Sequence, residues 1–197
     1  MRIILLDANI PDLDIEEREL EKHIFFTFLV DGISRACSHQ LVRHRPASYS
    51  QQSQRYVSMK DFPYVKPESL KDKFILYENK KISFDDVMSF LGDVYEAFIE
   101  AGVPKEDARF VLPNACATRI VFTMNSKELI HFLKLRTCNR AQWEIREMAI
   151  RMLKLLREKM PEIFDRVGPG CFMTGVCPEG GKTCGKQPEV VSFFENL

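Results

Sequence analysis

Apolar and polar positions recur along this chain in short blocks, and the blocks predict a mixture of strands and helices. Met1 to Leu6 is a brief apolar run that soon meets acid, which predicts a short buried strand, whereas Pro11 to Lys22 is strongly acidic and predicts surface. Ile24 to Val30 is aromatic and β-branched and predicts a second strand. From Gly32 the period changes. Ile33, Ala36, Cys37, Leu41 and His44 fall at helical spacing, so a helix is expected over Ile33 to His44, broken by Pro46. Ser83 with Asp86 forms a capping box ahead of an apolar stripe of Val87, Phe90, Leu91, Val94 and Phe98. Gly102 closes that helix, and Pro104 suits the first turn of the next. Ala117 to Met124 alternates as a strand does. Ser126 is expected to cap a helix running to about Leu135, and Asn139 or Gln142 to cap another. That last helix turns Ile145, Met148, Ala149, Met152 and Leu156 inward and stops at Pro161.

Separated strands and longer helices point to an α+β fold, an antiparallel or mixed sheet packed with several helices, rather than a regular βαβ series. The composition shifts after Asp165. Residues 1–165 read as one domain and residues 166–197 as a Gly-, Pro- and Cys-rich tail.

With 197 residues, 45% of them hydrophobic and 28% charged, the chain has the make-up of a globular domain. Lys plus Arg and Asp plus Glu number 28 each, so a polycation that coats nucleic acid is not expected. No apolar run approaches the roughly 20 residues of a membrane helix, and the first residues lack the long apolar core of a secretory leader. A cytoplasmic location, where thiols stay reduced, is the expectation. No glycine-rich phosphate loop of either common type is present.

Zero net charge hides a polarised arrangement. From Gly32 through Lys60 there is no acid, while Arg35, Arg43, Arg45, Arg55 and Lys60 stand there with His39 and His44. Two further acid-free windows follow: Ala108 to Lys127, with Arg109 and Arg119, and Leu129 to Trp143, with His131, Lys134, Arg136 and Arg140. Arginines without acidic neighbours find their anions outside the chain or on a distant segment. A single one is expected to pair with an acid brought near by folding. Together they suggest a pocket for phosphorylated small molecules, because guanidinium forks match phosphate oxygens. Ser48, Ser50, Gln51, Gln52, Ser53, Gln54 and Arg55 add donors and acceptors suited to a base, a sugar and a phosphate, or to a solvated loop.

The run Arg43-His44-Arg45, seven residues and then Ser53 resembles the signature of the flavin-dependent thymidylate synthases, and reads through to Tyr56 here. Ala108 to Pro113, Leu135-Arg136 and Ala141 to Arg146 resemble the same family downstream, so the likeness runs from about His23 to Phe164. The resemblance implies conversion of dUMP to dTMP with methylenetetrahydrofolate as carbon donor, NADPH as reductant and FAD as hydride carrier. It also implies a homotetramer with sites shared between subunits. Carried over by matched position, Arg43, His44, Arg45, Gln51, Asn125 and His131 are the expected FAD contacts. Gln40, Arg43, Gln51, Ser53, Gln54, Arg55, Arg109 and Arg136 are the expected dUMP contacts, with Arg136 the catalytic cation that activates the uracil ring. Two departures accompany the match. The part before His23 is short for the family and places Glu17 and Glu19 at flavin-contacting positions, and Arg140 stands where many relatives carry His. The competing class is a non-catalytic, nucleotide-binding homologue with impaired FAD binding. An RNA-binding module has little support, because the aromatics do not interleave with the cations.

This chemistry needs no protein nucleophile, and Cys37 and Cys116 read as buried structural thiols. Cys138, Cys171, Cys177 and Cys184 are expected to converge on one site. A structural zinc is one reading, and unligated thiols or a redox pair is the other.

Overall fold

The computed structural model describes residues 1–10, 22–55 and 62–197. Glu17 and Glu19 in the acidic stretch, and Tyr56 and Lys60 at the end of the first basic window, lie outside the described residues.

The architecture is α+β. The strands are β1 (Arg2–Asn9), β2 (Phe25–Ser34), β3 (Ser48–Gln51), β4 (Phe74–Tyr77), β5 (Lys80–Ser83) and β6 (Ala117–Asn125). The helices are α1 (Arg35–Leu41), α2 (Phe84–Glu100), α3 (Lys105–Ala108), α4 (Ser126–Arg136), α5 (Trp143–Lys159), α6 (Pro161–Phe164), α7 (Gly170–Thr174) and α8 (Gln187–Glu195). A four-stranded sheet has the order β1-β2-β6-β3, and β4 pairs antiparallel with β5 in a separate hairpin. None of the described helices is long and apolar enough to cross a membrane.

The chain divides into two compact units. Unit 1 comprises residues 1–30, 40–50 and 121–197, and unit 2 comprises residues 31–39 and 51–120. In unit 1 the core is aromatic: Phe26 meets Phe164 edge-on at 5.4 Å, and Phe28 stacks on Phe122 at 5.6 Å. α5 is capped by Gln142, whose side chain accepts from the Glu144 and Ile145 amides, and it buries Ile145, Met148, Ala149, Met152, Leu153 and Leu156. Each Ile, Leu or Met side chain so withdrawn from water stabilises by about 1.5–3 kcal/mol. Arg151 donates to the Met1 carbonyl at 3.0 Å, holding the start of β1 to α5. Residues 166–197 belong to unit 1, where Val190 and Phe194 are buried and Phe194 packs on Phe172. In unit 2, Phe62, Met88, Tyr95, Ala108 and Cys116 form the core beneath α2.

Several expected elements shift. β2 runs on through Gly32, whose φ of 77° suits glycine, so α1 starts only at Arg35 rather than Ile33. The Ser83–Asp86 capping box forms as expected, with both reciprocal hydrogen bonds. The buried face of α2, however, is Met88, Gly92 and Tyr95, which leaves Phe90 63% and Phe98 42% exposed. α4 is capped one residue early, by Asn125 in place of Ser126. The β4–β5 hairpin has no Asn-Gly signal. Glu78 and Asn79 take positive φ in its turn, and Asn tolerates that region better than most residues.

Candidate functional site

Each unit carries its own share of the basic residues. In unit 1 the turn after α1 presents Gln40, Arg43, His44 and Arg45. Tyr49, on β3, fixes this turn: its hydroxyl lies 2.9 Å from the Leu41 carbonyl and 2.7 Å from the His44 carbonyl, sharing its proton between them. Burial pushes the Tyr49 phenol up to about 12, so it stays a donor. Arg43 and Arg45 point outward and exposed, and His44 turns inward.

The His44 ring meets Phe132 edge-on at 5.6 Å and His131 at 5.9 Å, both on α4. Its Nε2 lies 3.7 Å from the Glu128 carboxylate, beyond hydrogen-bond reach, and is a buried polar atom without a hydrogen-bond partner among the described residues. Asn125 caps α4 by accepting from the Glu128 amide at 2.9 Å, so its Oδ1 is already engaged. Arg136 ends the same helix, half-buried. Arg43, Arg45 and Arg136 form no ion pair among the described residues.

In unit 2, Gln51 spends its amide protons on Ser38 Oγ at 2.9 Å and Thr118 Oγ1 at 3.2 Å, holding α1 to β6. The next turn follows from Ser53, whose Oγ accepts from the Arg55 amide at 3.1 Å; Gln54 lies between, half-buried. The Arg55 guanidinium pairs with Glu106 at 2.8 Å, with both side chains about half exposed. An exposed pair of this kind contributes at most about 1 kcal/mol, so a phosphate competes readily for the arginine. Arg109 donates through Nε to the Glu106 carbonyl. Burial depresses the Arg35 guanidinium below its usual range, and the nearby Arg109 cation adds to that. Arg119, by contrast, pairs with Asp31 at 2.7 Å, the outcome expected of a single arginine.

Sequence reasoning missed two residues, Tyr49 and Glu128. Tyr49 is the one aromatic inside the polar run after Pro46. Glu128 stands three residues before His131, so both lie on one face of a helix. Arg35 stands out in sequence only as one cation among several, with nothing local to give it a role.

Residues 17–162 match the family described as thymidylate synthase complementing protein. The flavin-dependent thymidylate synthase of Geobacter sulfurreducens is 52% identical over 187 residues, which cover 94% of this chain and 78% of that relative. This chain belongs to the flavin-dependent thymidylate synthase family. Similar relatives of the same description occur in Clostridium tetani, 44% identical over 88% of this chain and 74% of the relative, and in Pyrococcus abyssi, 46% identical over 87% and 72%. The family's flavin dependence fits the unit 1 residues. Arg43 and Arg45, without an ion pair among the described residues, suit a pyrophosphate, and the buried Nε2 of His44, without a hydrogen-bond partner among them, offers a further polar atom.

His44 gives the folded chain a pH signature. Burial pushes its imidazole below the ordinary 6.5; Glu128 draws it back up, while His131 and Arg136 push it further down. The unfolded chain therefore binds more protons than the folded chain between 6.5 and the lowered value, so stability falls as pH falls through that window. His44→Gln is expected to flatten the loss of melting temperature between about pH 7 and pH 5. Parallel pH profiles for wild type and variant would refute this.

The four cysteines expected as zinc ligands, Cys138, Cys171, Cys177 and Cys184, all line one cavity of about 260 Å³ in unit 1. Among the described residues, however, no group of three or more His, Cys, Asp or Glu side chains is placed to hold a metal ion. The expected convergence on one site takes the form of a shared cavity, and the side chains as placed do not form a zinc shell. A tetrahedral thiolate shell needs sulfurs roughly 3.7 Å apart around one centre.

Proposed function

We propose that this chain converts dUMP to dTMP, with methylenetetrahydrofolate as carbon donor, FAD as cofactor and NADPH as reductant. Family membership supports the reaction. The observation that carries the site is the set of cations without a carboxylate partner among the described residues, Arg43, Arg45 and Arg136, around His44, whose buried Nε2 has no hydrogen-bond partner among them.

The chemistry sets what each residue has to do. A methylene carbon is two electrons more oxidised than a methyl group, so its transfer is completed by a hydride, which reduced FAD supplies when bound. Arg43 and Arg45, with His44, Asn125 and His131, hold the cofactor's anionic and polar groups. Arg55 and Arg109, with Gln40, Ser53 and Gln54, bind the nucleotide and its phosphate. Gln51, its amide protons already committed, keeps this loop registered on β6. Arg136 stabilises negative charge as the uracil ring ionises, which makes the ring carbon a better nucleophile toward the carbon donor.

No thiol takes part. Burial pushes the Cys116 thiol up to about 12, and Cys37 is fully buried on α1. Cys37→Ala and Cys116→Ala, made separately, are expected to keep most dTMP synthesis. Loss of turnover in either variant, still folded and still yellow, would replace the flavin route with cysteine attack.

The working unit in this reading is a cytoplasmic homotetramer. Exposed apolar side chains support it: Ile75, Leu76 and Tyr77 on the β4–β5 hairpin, and Phe110, are at least 60% exposed. A second copy of the chain is the natural cover for such surface.

A further inference from the structure

The densest chemistry that the proposed reaction leaves unused is the thiol-lined cavity of unit 1, and the inference drawn from it does not depend on the proposed reaction. We propose that Cys138 and Cys184 form a reversible disulfide on exposure to peroxide, tying the segment before α8 to the loop between α4 and α5. All four cavity cysteines are free thiols. Cys138 and Cys184 are half-buried, open to a small oxidant, whereas Cys171 is 7% exposed. The two chosen sulfurs face the same short stretch of chain, residues 139 and 140. Cys138 Sγ lies 3.5 Å from the Arg140 amide, and Cys184 Sγ lies 3.8 Å from Nδ2 of Asn139, the residue next to Cys138. Arg146 lies near both sulfurs. Cys184 sits between a 3-10 turn ending at Lys182 and Gly185, in a stretch without helix or strand, so it has room to close on Cys138, which is held near the start of α5.

The step balances with hydrogen peroxide as oxidant. One thiolate attacks a peroxide oxygen, the O–O bond breaks, and the first water leaves after protonation. The resulting sulfenic sulfur is attacked by the second thiolate, the S–O bond breaks, and the second water leaves. Two thiols have then lost two protons and two electrons, and a dithiol reductant reverses the change.

The test uses the purified full chain, treated with hydrogen peroxide and followed by intact mass, peptide mapping and thermal melting. The expected result is a loss of two hydrogens, a cross-linked peptide pair containing Cys138 and Cys184, and a melting temperature higher by about 5 °C or more. Dithiothreitol should reverse all three. Cys138→Ser and Cys184→Ser should each abolish the cross-link while melting like reduced wild type, and Cys171→Ser should retain it. Should Cys138→Ser melt early, peptide mapping of Cys184→Ala tests the same cross-link from its other end. The proposal is overturned if both thiols survive treatment, if Cys171 or Cys177 replaces one of them in the cross-link, if oxidation runs to sulfinic acid without a bridge, or if a stoichiometric metal ion purifies with the four thiols.

Discussion

Arg136→Ala is expected to lower dTMP turnover about a hundredfold while leaving the fold intact. A fixed cation aimed at charge that develops on an ionising base is worth about 3 kcal/mol in the transition state, hence that factor in rate. The structure explains why stability changes little. Arg136 is half-buried, ends α4 and makes no ion pair among the described residues, so its removal leaves no buried partner unsatisfied. The loss on the folding side is its interaction with the negative end of the helix, about 0.3–1 kcal/mol. Arg136→Lys is expected to recover part of the rate, because a point charge remains while the planar fork is lost. Steady-state turnover at saturating dUMP, alongside a thermal melt, separates the two effects. Near-wild-type turnover in the alanine variant would remove Arg136 from the catalytic role.

Arg157→Ala is the substitution expected to cost most in stability. This guanidinium donates to three backbone carbonyls: Phe194 at 2.8 Å, Val167 at 3.1 Å and Phe164 at 3.3 Å. It thereby ties α5 to the chain after α6 and to α8, and it lies 5.8 Å from the Phe172 ring. Burial depresses its pKa, with Asp165 opposing. Hydrogen bonds from a charged donor contribute about 1.5–3 kcal/mol each, and some of these carbonyls regain water once the side chain is gone. A net loss of about 3 kcal/mol is therefore expected. At roughly 2–4 °C per kcal/mol the melting temperature should fall by about 6–12 °C, with early proteolysis after Asp165. Lysine should rescue less than half of the loss, since one ammonium does not span three carbonyls. A shift below about 2 °C for the alanine variant would contradict this reading.

Much of the fold is legible in the sequence because local rules decide it. The alternation of Ala117 to Met124 becomes β6, the Gln142 cap and its inward stripe become α5, and Ser83 with Asp86 opens α2. Legibility fails where a choice depends on what lies opposite. The α2 stripe contains enough apolar side chains to define two faces, and packing against Phe62 and Cys116 selects Met88 and Tyr95 over Phe90 and Phe98. The β2–α1 junction differs from its helical spacing because Gly32, at positive φ, lets the strand continue and bury Ile33 and Ser34 at its end. At the candidate site the cations are legible as surplus charge, but their partners are not. Arg119 with Asp31 and Arg55 with Glu106 are pairs 88 and 51 residues apart in sequence, which no local window reveals. Context groups the four cysteines, and they do share one cavity, but spacing alone does not distinguish a coordination shell from a lined space.

The measurement that bears most directly on this account is dTMP formation by the purified protein, with its absorbance spectrum recorded on the same sample. A yellow protein with flavin absorbance is expected, making dTMP from dUMP only when methylenetetrahydrofolate and NADPH are both supplied and ceasing when FAD is removed. A colourless protein that binds dUMP but stays inactive with added FAD, or one that makes dTMP without any flavin, would contradict it.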